Sequence, residues 1–120
     1  NGHMLWRKDI DLYYVVYDGG GATFGRWEVY GRQTGAIQNC PEGPPGGLLK
    51  PSSGFGDVWC KLGGANSAIG WAVDGEYGFY ASQGIRVQDF EFGVIFQDSD
   101  GVTRNLAYVL TRSGFYREAP

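Results

Sequence analysis

Three kinds of side chain in this sequence have types and spacings that bear on chemistry: carboxylates, cysteines and aromatic rings. Glu76, Asp89 and Glu91 could supply a glycosidase pair, which needs two carboxyl groups about 5 to 10 Å apart across a cleft. On an unbroken strand Asp89 and Glu91 would share one face at roughly 7 Å. Solvated positions beside an apolar strand account for them more simply. A nucleophile system fares no better: the one histidine, His3, stands near the start of the sequence, and no G-x-S-x-G elbow is present. Ser52 and Ser53, just before Gly54, read as turn residues. Asp9-x-Asp11 and Asp98-x-Asp100-Gly101 pair oxygen donors, but a hard cation such as Ca²⁺ takes about six to eight ligands, and Asp and Gly are common turn residues. The expectation is therefore a protein that is not an enzyme, with no metal and no cofactor.

Cys40 and Cys60 are the two cysteines, too far apart for a CxxC redox or zinc pair. A disulfide is the better reading, since closing a loop of about 20 residues would stabilise the fold by roughly 3 kcal/mol by loop-closure entropy. Oxidation implies export. Among the rings, a flat aromatic face left exposed can stack on a sugar while its polar edge hydrogen-bonds hydroxyls. Tyr13, Tyr17, Trp27 and Tyr30 are the ligand-binding candidates, because they lie on the less certain strand face or beside a loop. Trp59 and Trp71, set among aliphatic residues, read as structural.

These residues must be positioned by short strands. Residues 4–20 form an apolar–polar–apolar hairpin whose second strand carries Leu12, Tyr14 and Val16 on one face and Tyr13, Val15 and Tyr17 on the other. Both faces are apolar or aromatic, so the strand is expected to be covered on both sides. Residues 93–111 repeat the idea. Laying Gly93 on Gly2 and Tyr108 on Tyr14 needs three extra residues in the later tip, and gives two related hairpins. In such a repeat the Gln88-Asp89-Phe90-Glu91 segment before Gly93 would also precede Gly2, as expected of a piece of a tandem array. Gly2-His3-Met4 has the look of a cloning remnant, but the alignment on Gly93 favours native residues.

Between the hairpins, Phe24–Tyr30 predicts a strand, residues 31–53 a Gly/Pro-rich loop, Asp57–Leu62 a short helix capped near Gly56 or Asp57, Ser67–Ala72 a turn or second short helix, and Gly84–Phe90 a strand. The expected architecture is one mainly β domain over residues 1–120: a first hairpin and strand (1–30), the loop (31–53), a short helical region (54–73), then strands and the second hairpin (76–120). It is a small antiparallel sheet with one or two short helices and a disulfide-tethered Gly/Pro loop. Composition agrees, with 21 Gly, 16 % aromatics and only 19 % charged residues, a mixture suited to strands and tight turns rather than a helical bundle. The net charge of −3 and pI near 5.0 offer no electrostatic footprint for nucleic acid. No apolar run approaches the roughly 20 residues of a membrane span, and any export signal is expected to have been removed.

Gly54-Phe55-Gly56-Asp57-Val58-Trp59, Ile69-Gly70-Trp71-Ala72 and Val87-Gln88-Asp89-Phe90-Glu91-Phe92-Gly93, with Met4-Leu5-Trp6-Arg7 and Tyr14-Val15-Val16-Tyr17-Asp18-Gly19, resemble a bacterial surface-protein module with GFGxVW, LGWA and QxFExG motifs and an MLWR hairpin. The chain is also distantly similar to LGFP cell-wall-associated repeats, departing from them at Trp71, where a phenylalanine falls, and at Ala72, where proline falls. The resemblance covers most of the sequence in order and carries no catalytic residues. It implies an exported, cell-surface location and a non-catalytic binding module for cell-wall glycan or another carbohydrate. The rival reading is a structural or self-assembly domain whose partners are neighbouring copies of itself.

Overall fold

The computed structural model describes residues 2–18, 24–31, 43–51, 53–73, 84–99 and 105–119. Alternating apolar stretches become β1 (Gly2–Arg7), β2 (Leu12–Tyr17), β3 (Phe24–Gly31), β4 (Gly84–Phe90), β5 (Gly93–Ser99), β6 (Asn105–Thr111) and β7 (Phe115–Ala119), with helix α1 (Ser53–Leu62) and a 3₁₀ turn at Gly64–Asn66 between β3 and β4. The seven strands form one antiparallel sheet in the order β1-β2-β3-β7-β6-β5-β4. β1 pairs with β2 from Gly2 opposite Tyr17 to Arg7 opposite Leu12, and β5 with β6 from Gly93 opposite Thr111 to Ser99 opposite Asn105. The mainly β antiparallel architecture is thus observed.

β2 explains the shape. Its Tyr14 and Val16 enter one cluster with Leu5, Val94, Phe96, Tyr108, Leu110 and Tyr116. These residues come from strands near both ends of the sheet order, so the sheet curls into a half-barrel around them. Tyr13, Val15 and Tyr17 point the other way, against Val58, Phe55 and Leu62 of α1. The expectation that β2 is covered on both faces is met. Val15 and Val16 are fully enclosed, each contributing about 1.5 to 3 kcal/mol of burial.

Helix α1 starts earlier than Asp57, because its glycines are contact points rather than caps. A Cβ on Gly54 would collide with the Tyr13 ring, and one on Gly56 would come within 2.7 Å of the Pro51 carbonyl oxygen. Gly54 therefore lets the helix lie close to β2, and Gly56 lets the incoming backbone at Pro51 lie close to the helix, at the cost of two poor helix formers. It ends at Gly63, whose φ of 112° is left-handed and whose N–H returns to the Cys60 carbonyl at 3.1 Å. Trp59, 1 % exposed, donates its Nε1–H to the Gly70 carbonyl at 2.7 Å, and its ring lies 5.2 Å from Trp71. The GFG-x-VW and GWA motifs thus form one packed unit. Residues 67–70 form turns rather than a second α-helix, and Leu49 at the end of the Gly/Pro segment bridges to Ala72. Residues 32–42, with Cys40, lie outside the described residues, as does Glu76.

Glycines within strands mark places where backbones meet. A Cβ on Gly25 would stand 1.8 Å from the Tyr17 carbonyl oxygen, and one on Gly93 2.2 Å from that of Leu110, whereas among the described residues a Cβ on Gly31 would meet nothing within 4 Å. Gly25→Ala and Gly93→Ala are expected to lower unfolding free energy by about 1 to 3 kcal/mol, and Gly31→Ala to change it by less than about 0.5 kcal/mol. Urea denaturation of the three variants checks this, and equal effects at all three would contradict the packing.

Candidate functional site

The half-barrel opens at the end where β1 and β4 finish. Arg7, inward-facing at the end of β1, is 7 % exposed. Its Nη1–H donates to Asp89 Oδ1 at 2.7 Å and its Nη2–H to Asp89 Oδ2 at 3.1 Å, while Nε and Nη2 also reach the two Asp9 oxygens at 3.2 and 2.8 Å. These bonds hold the Arg7 proton well above the usual guanidinium range, with Asp89 the largest cause and Asp9 the next. Asp9 is correspondingly lowered from the ordinary carboxylate value, chiefly by Arg7. Bidentate pairing also fixes the Asp89 carboxylate in direction, although that side chain stays 66 % exposed.

Beside this network lies an open cleft of about 320 Å³ lined by Tyr14, Trp27, Asp89, Glu91, Gly93, Val94 and Arg112. The Trp27 ring is half-buried and oriented by two contacts: its Nε1–H donates to the Thr111 carbonyl at 2.7 Å, and its centroid is 5.8 Å from Tyr14. The indole of Trp27, the acidic residues Asp89 and Glu91 and the basic residue Arg112 therefore line one open cleft. This pairs an apolar face with charge-assisted hydrogen-bonding groups, the combination that orients a polar ligand.

The four aromatic candidates separate. Trp27 lines the cleft. Tyr13 and Tyr17 are corrected to core positions, 3 % and 7 % exposed, because α1 covers their face of β2. Tyr30 packs against the same cluster, and its hydroxyl, like that of Tyr17, donates to Glu28 Oε1 at 2.9 Å. Arg26 lies 3.9 Å over the Tyr17 ring, a cation–π contact with the ring's remaining side. Sequence reasoning does not single out Tyr14, Arg7 or Arg112, since each reads locally as core or solvated surface. The available signal is the alternation of β2, which puts Tyr14 on the face opposite Tyr13.

Asp89 and Glu91 do stand at one cleft. His3 sits within the fold, its Nε2 3.2 Å from Glu118 Oε1 and its ring 4.8 Å from Tyr108. In the first hairpin tip Asp9 is held by Arg7 while Asp11, at a left-handed φ of 51°, accepts the Trp6 Nε1–H at 2.9 Å. The two carboxylates serve different partners. Among the described residues no group of three or more His, Cys, Asp or Glu side chains gathers as a metal site. Asp100 in the second tip lies outside those residues. No described helix is long and apolar enough to cross a membrane. Comparison with protein-family models, with characterised proteins and with solved structures found no match.

Burial, and next the bond to Glu28, raises Tyr17 and Tyr30 above the ordinary phenol value, while burial foremost raises Tyr116. A folded-state pKa above the unfolded one contributes stability that is complete below the unfolded value, about 10, and is lost as pH rises past it. Alkaline titration followed by phenolate absorbance is therefore expected in two phases, the later one coinciding with loss of far-ultraviolet dichroism. Ionisation of every tyrosine near pH 10 with the fold intact would contradict these environments.

Proposed function

We propose that this protein is a non-catalytic, exported binding module that holds cell-wall glycan or another carbohydrate at the cleft of Trp27, Tyr14, Asp89, Glu91 and Arg112. The observation that carries the reading is the Trp27 ring held by Thr111 beside two exposed carboxylates and a guanidinium. An indole face matches the apolar face of a sugar ring, and the charged groups match its hydroxyls. The cleft is open to water, which suits binding more than acid–base chemistry, for which enzymes exclude solvent. The resemblance to bacterial surface modules and LGFP-type repeats points to the same compartment and ligand class.

Titration of solubilised cell-wall polysaccharide by calorimetry tests the site. Trp27→Ala is expected to weaken binding at least tenfold, equivalent to about 1.4 kcal/mol. Glu91→Gln, an exposed change that spares the core, is expected to weaken it by a similar factor. Unaltered affinity in both variants, or no saturable binding to the unsubstituted protein, would sink the reading.

The proposed export rests on a proposed Cys40–Cys60 bridge. It would tie the Gly/Pro loop to α1, where Cys60 is located one residue after the buried Trp59. Peptide mapping without reductant is expected to recover the residue-40 and residue-60 peptides linked, and reduction to cost roughly 3 kcal/mol. Two alkylatable thiols in protein prepared without reductant would refute it.

A structural or self-assembly role is the second reading. It is favoured by the apolar surface around β4 and β5, where Phe90 and Phe92 are 51 % and 61 % exposed above Ile95 and Val109.

A further inference from the structure

The pairing registers carry a two-fold relation between the halves of the sheet. The β5–β6 ladder is the β1–β2 ladder shifted by 91 residues on the leading strand and 94 on the returning one, at every pair from Gly2–Tyr17 to Arg7–Leu12. Buried Leu5, Tyr14 and Val16 correspond to buried Phe96, Tyr108 and Leu110. Even the tight contacts match, since a Cβ on Gly2 would meet the Val16 carbonyl oxygen as one on Gly93 would meet that of Leu110. β3 and β7 follow: Trp27 lies opposite Val16, and Tyr116 opposite Leu110. Their mutual ladder maps onto itself, because the Gly25–Tyr116 pair becomes Gly114 with Trp27, whose N–H donates to the Gly114 carbonyl at 2.9 Å.

One strand breaks the relation. β4 covers the outer edge of β5 from Gly84 opposite Ser99 to Phe90 opposite Gly93, but among the described residues no strand pairs with the outer edge of β1. β1 and β4 are the two ends of the sheet order, and Arg7 on Asp89 joins them. With seven strands alternating in direction, these two edges run parallel to each other. An antiparallel sheet closes only with one further strand between them, antiparallel to both. Val87 shares the inward side of its neighbour Phe96, yet it is 38 % exposed at this open edge.

We infer that the gap between β1 and β4 takes one more extended strand, the residue 84–90 segment of a second copy, which leaves its place beside its own β5, so that two copies yield one eight-stranded antiparallel barrel. The donated strand pairs with β1 as β4 pairs with β5. Its Val87 then lies opposite Leu5, its Phe90 opposite Gly2, and its Asp89 opposite His3. That register puts a valine on the core side beside buried Leu5 and a carboxylate beside an imidazole, so shape and charge both fit. Backbone pairing supplies the affinity, and alternate side chains supply the specificity. The inference stands apart from glycan binding by the acceptor, whose cleft keeps its own β4 and Asp89.

The test adds a synthetic peptide of residues 84–92 to the protein and follows amide hydrogen exchange residue by residue. Exchange of the β1 amides that point away from β2 is expected to slow saturably by roughly tenfold or more, and a Val87→Lys version of the peptide is expected to have no effect. Unchanged β1 exchange up to the peptide's solubility limit overturns the inference. So does protection confined to β5, which would mean simple exchange with the protein's own β4, and so does equal protection by the lysine peptide.

Discussion

The constraint on which the rest of the structure depends is that β2 is apolar on both faces. A strand at the surface of a sheet needs one apolar side, but Tyr13 to Tyr17 are all buried, so two separate coverings had to be found. Facing one way, Tyr14 and Val16 are covered by residues from the far half of the sheet, which is possible only if the sheet curls. Facing the other, Tyr13, Val15 and Tyr17 are covered by α1. The short helix between Pro51 and Gly63 is thus a lid on one strand. Its glycines are there because Tyr13 and the Pro51 carbonyl leave no space for side chains.

Curling also makes the cleft and its electrostatics. It brings Arg7 of β1 to Asp89 of β4, which lie at opposite ends of the strand order, and it sets Trp27 of β3 against the Thr111 carbonyl at the end of β6. A buried guanidinium with two exposed carboxylate partners satisfies its charge without withdrawing those partners from water. Asp89 therefore remains available at the cleft while its direction is set from behind. The same arrangement holds two sheet edges close without pairing them, and unpaired edges are features that proteins otherwise cover or blunt.

The sequence was most legible where period and packing agree. β2's alternation revealed two apolar faces, the β-branched and aromatic stretches marked β1, β3, β4, β5 and β6, and Trp59, read as structural, is buried. It was misleading where a residue type has two uses. Gly54 and Gly56 look like helix breakers but permit close approach. Tyr13 and Tyr17 have the polar edges of ligand-binding rings but spend them inside the fold, Tyr17 on Glu28. β7 was not anticipated as a separate strand, because Arg117 and Glu118 interrupt its apolar pattern; yet it is the strand that joins the halves, through β3 on one side and β6 on the other. The cleft was half legible: Trp27, Asp89 and Glu91 drew notice individually, but their meeting depends on a curl that no local pattern reports.

The most direct test of this account is a nuclear Overhauser measurement on protein with labelled valine methyls and aromatic rings, read at the neighbouring pair Val15 and Val16. Two-sided burial of β2 predicts that Val15 shows cross-peaks to Val58 and Phe55 of α1 and none to Phe96 or Tyr108, while Val16 shows cross-peaks to the rings and methyls of the β5–β6 half and none to α1. Contacts from both valines to a single partner layer would contradict the two-sided burial of β2, and with it the curl that forms the cleft.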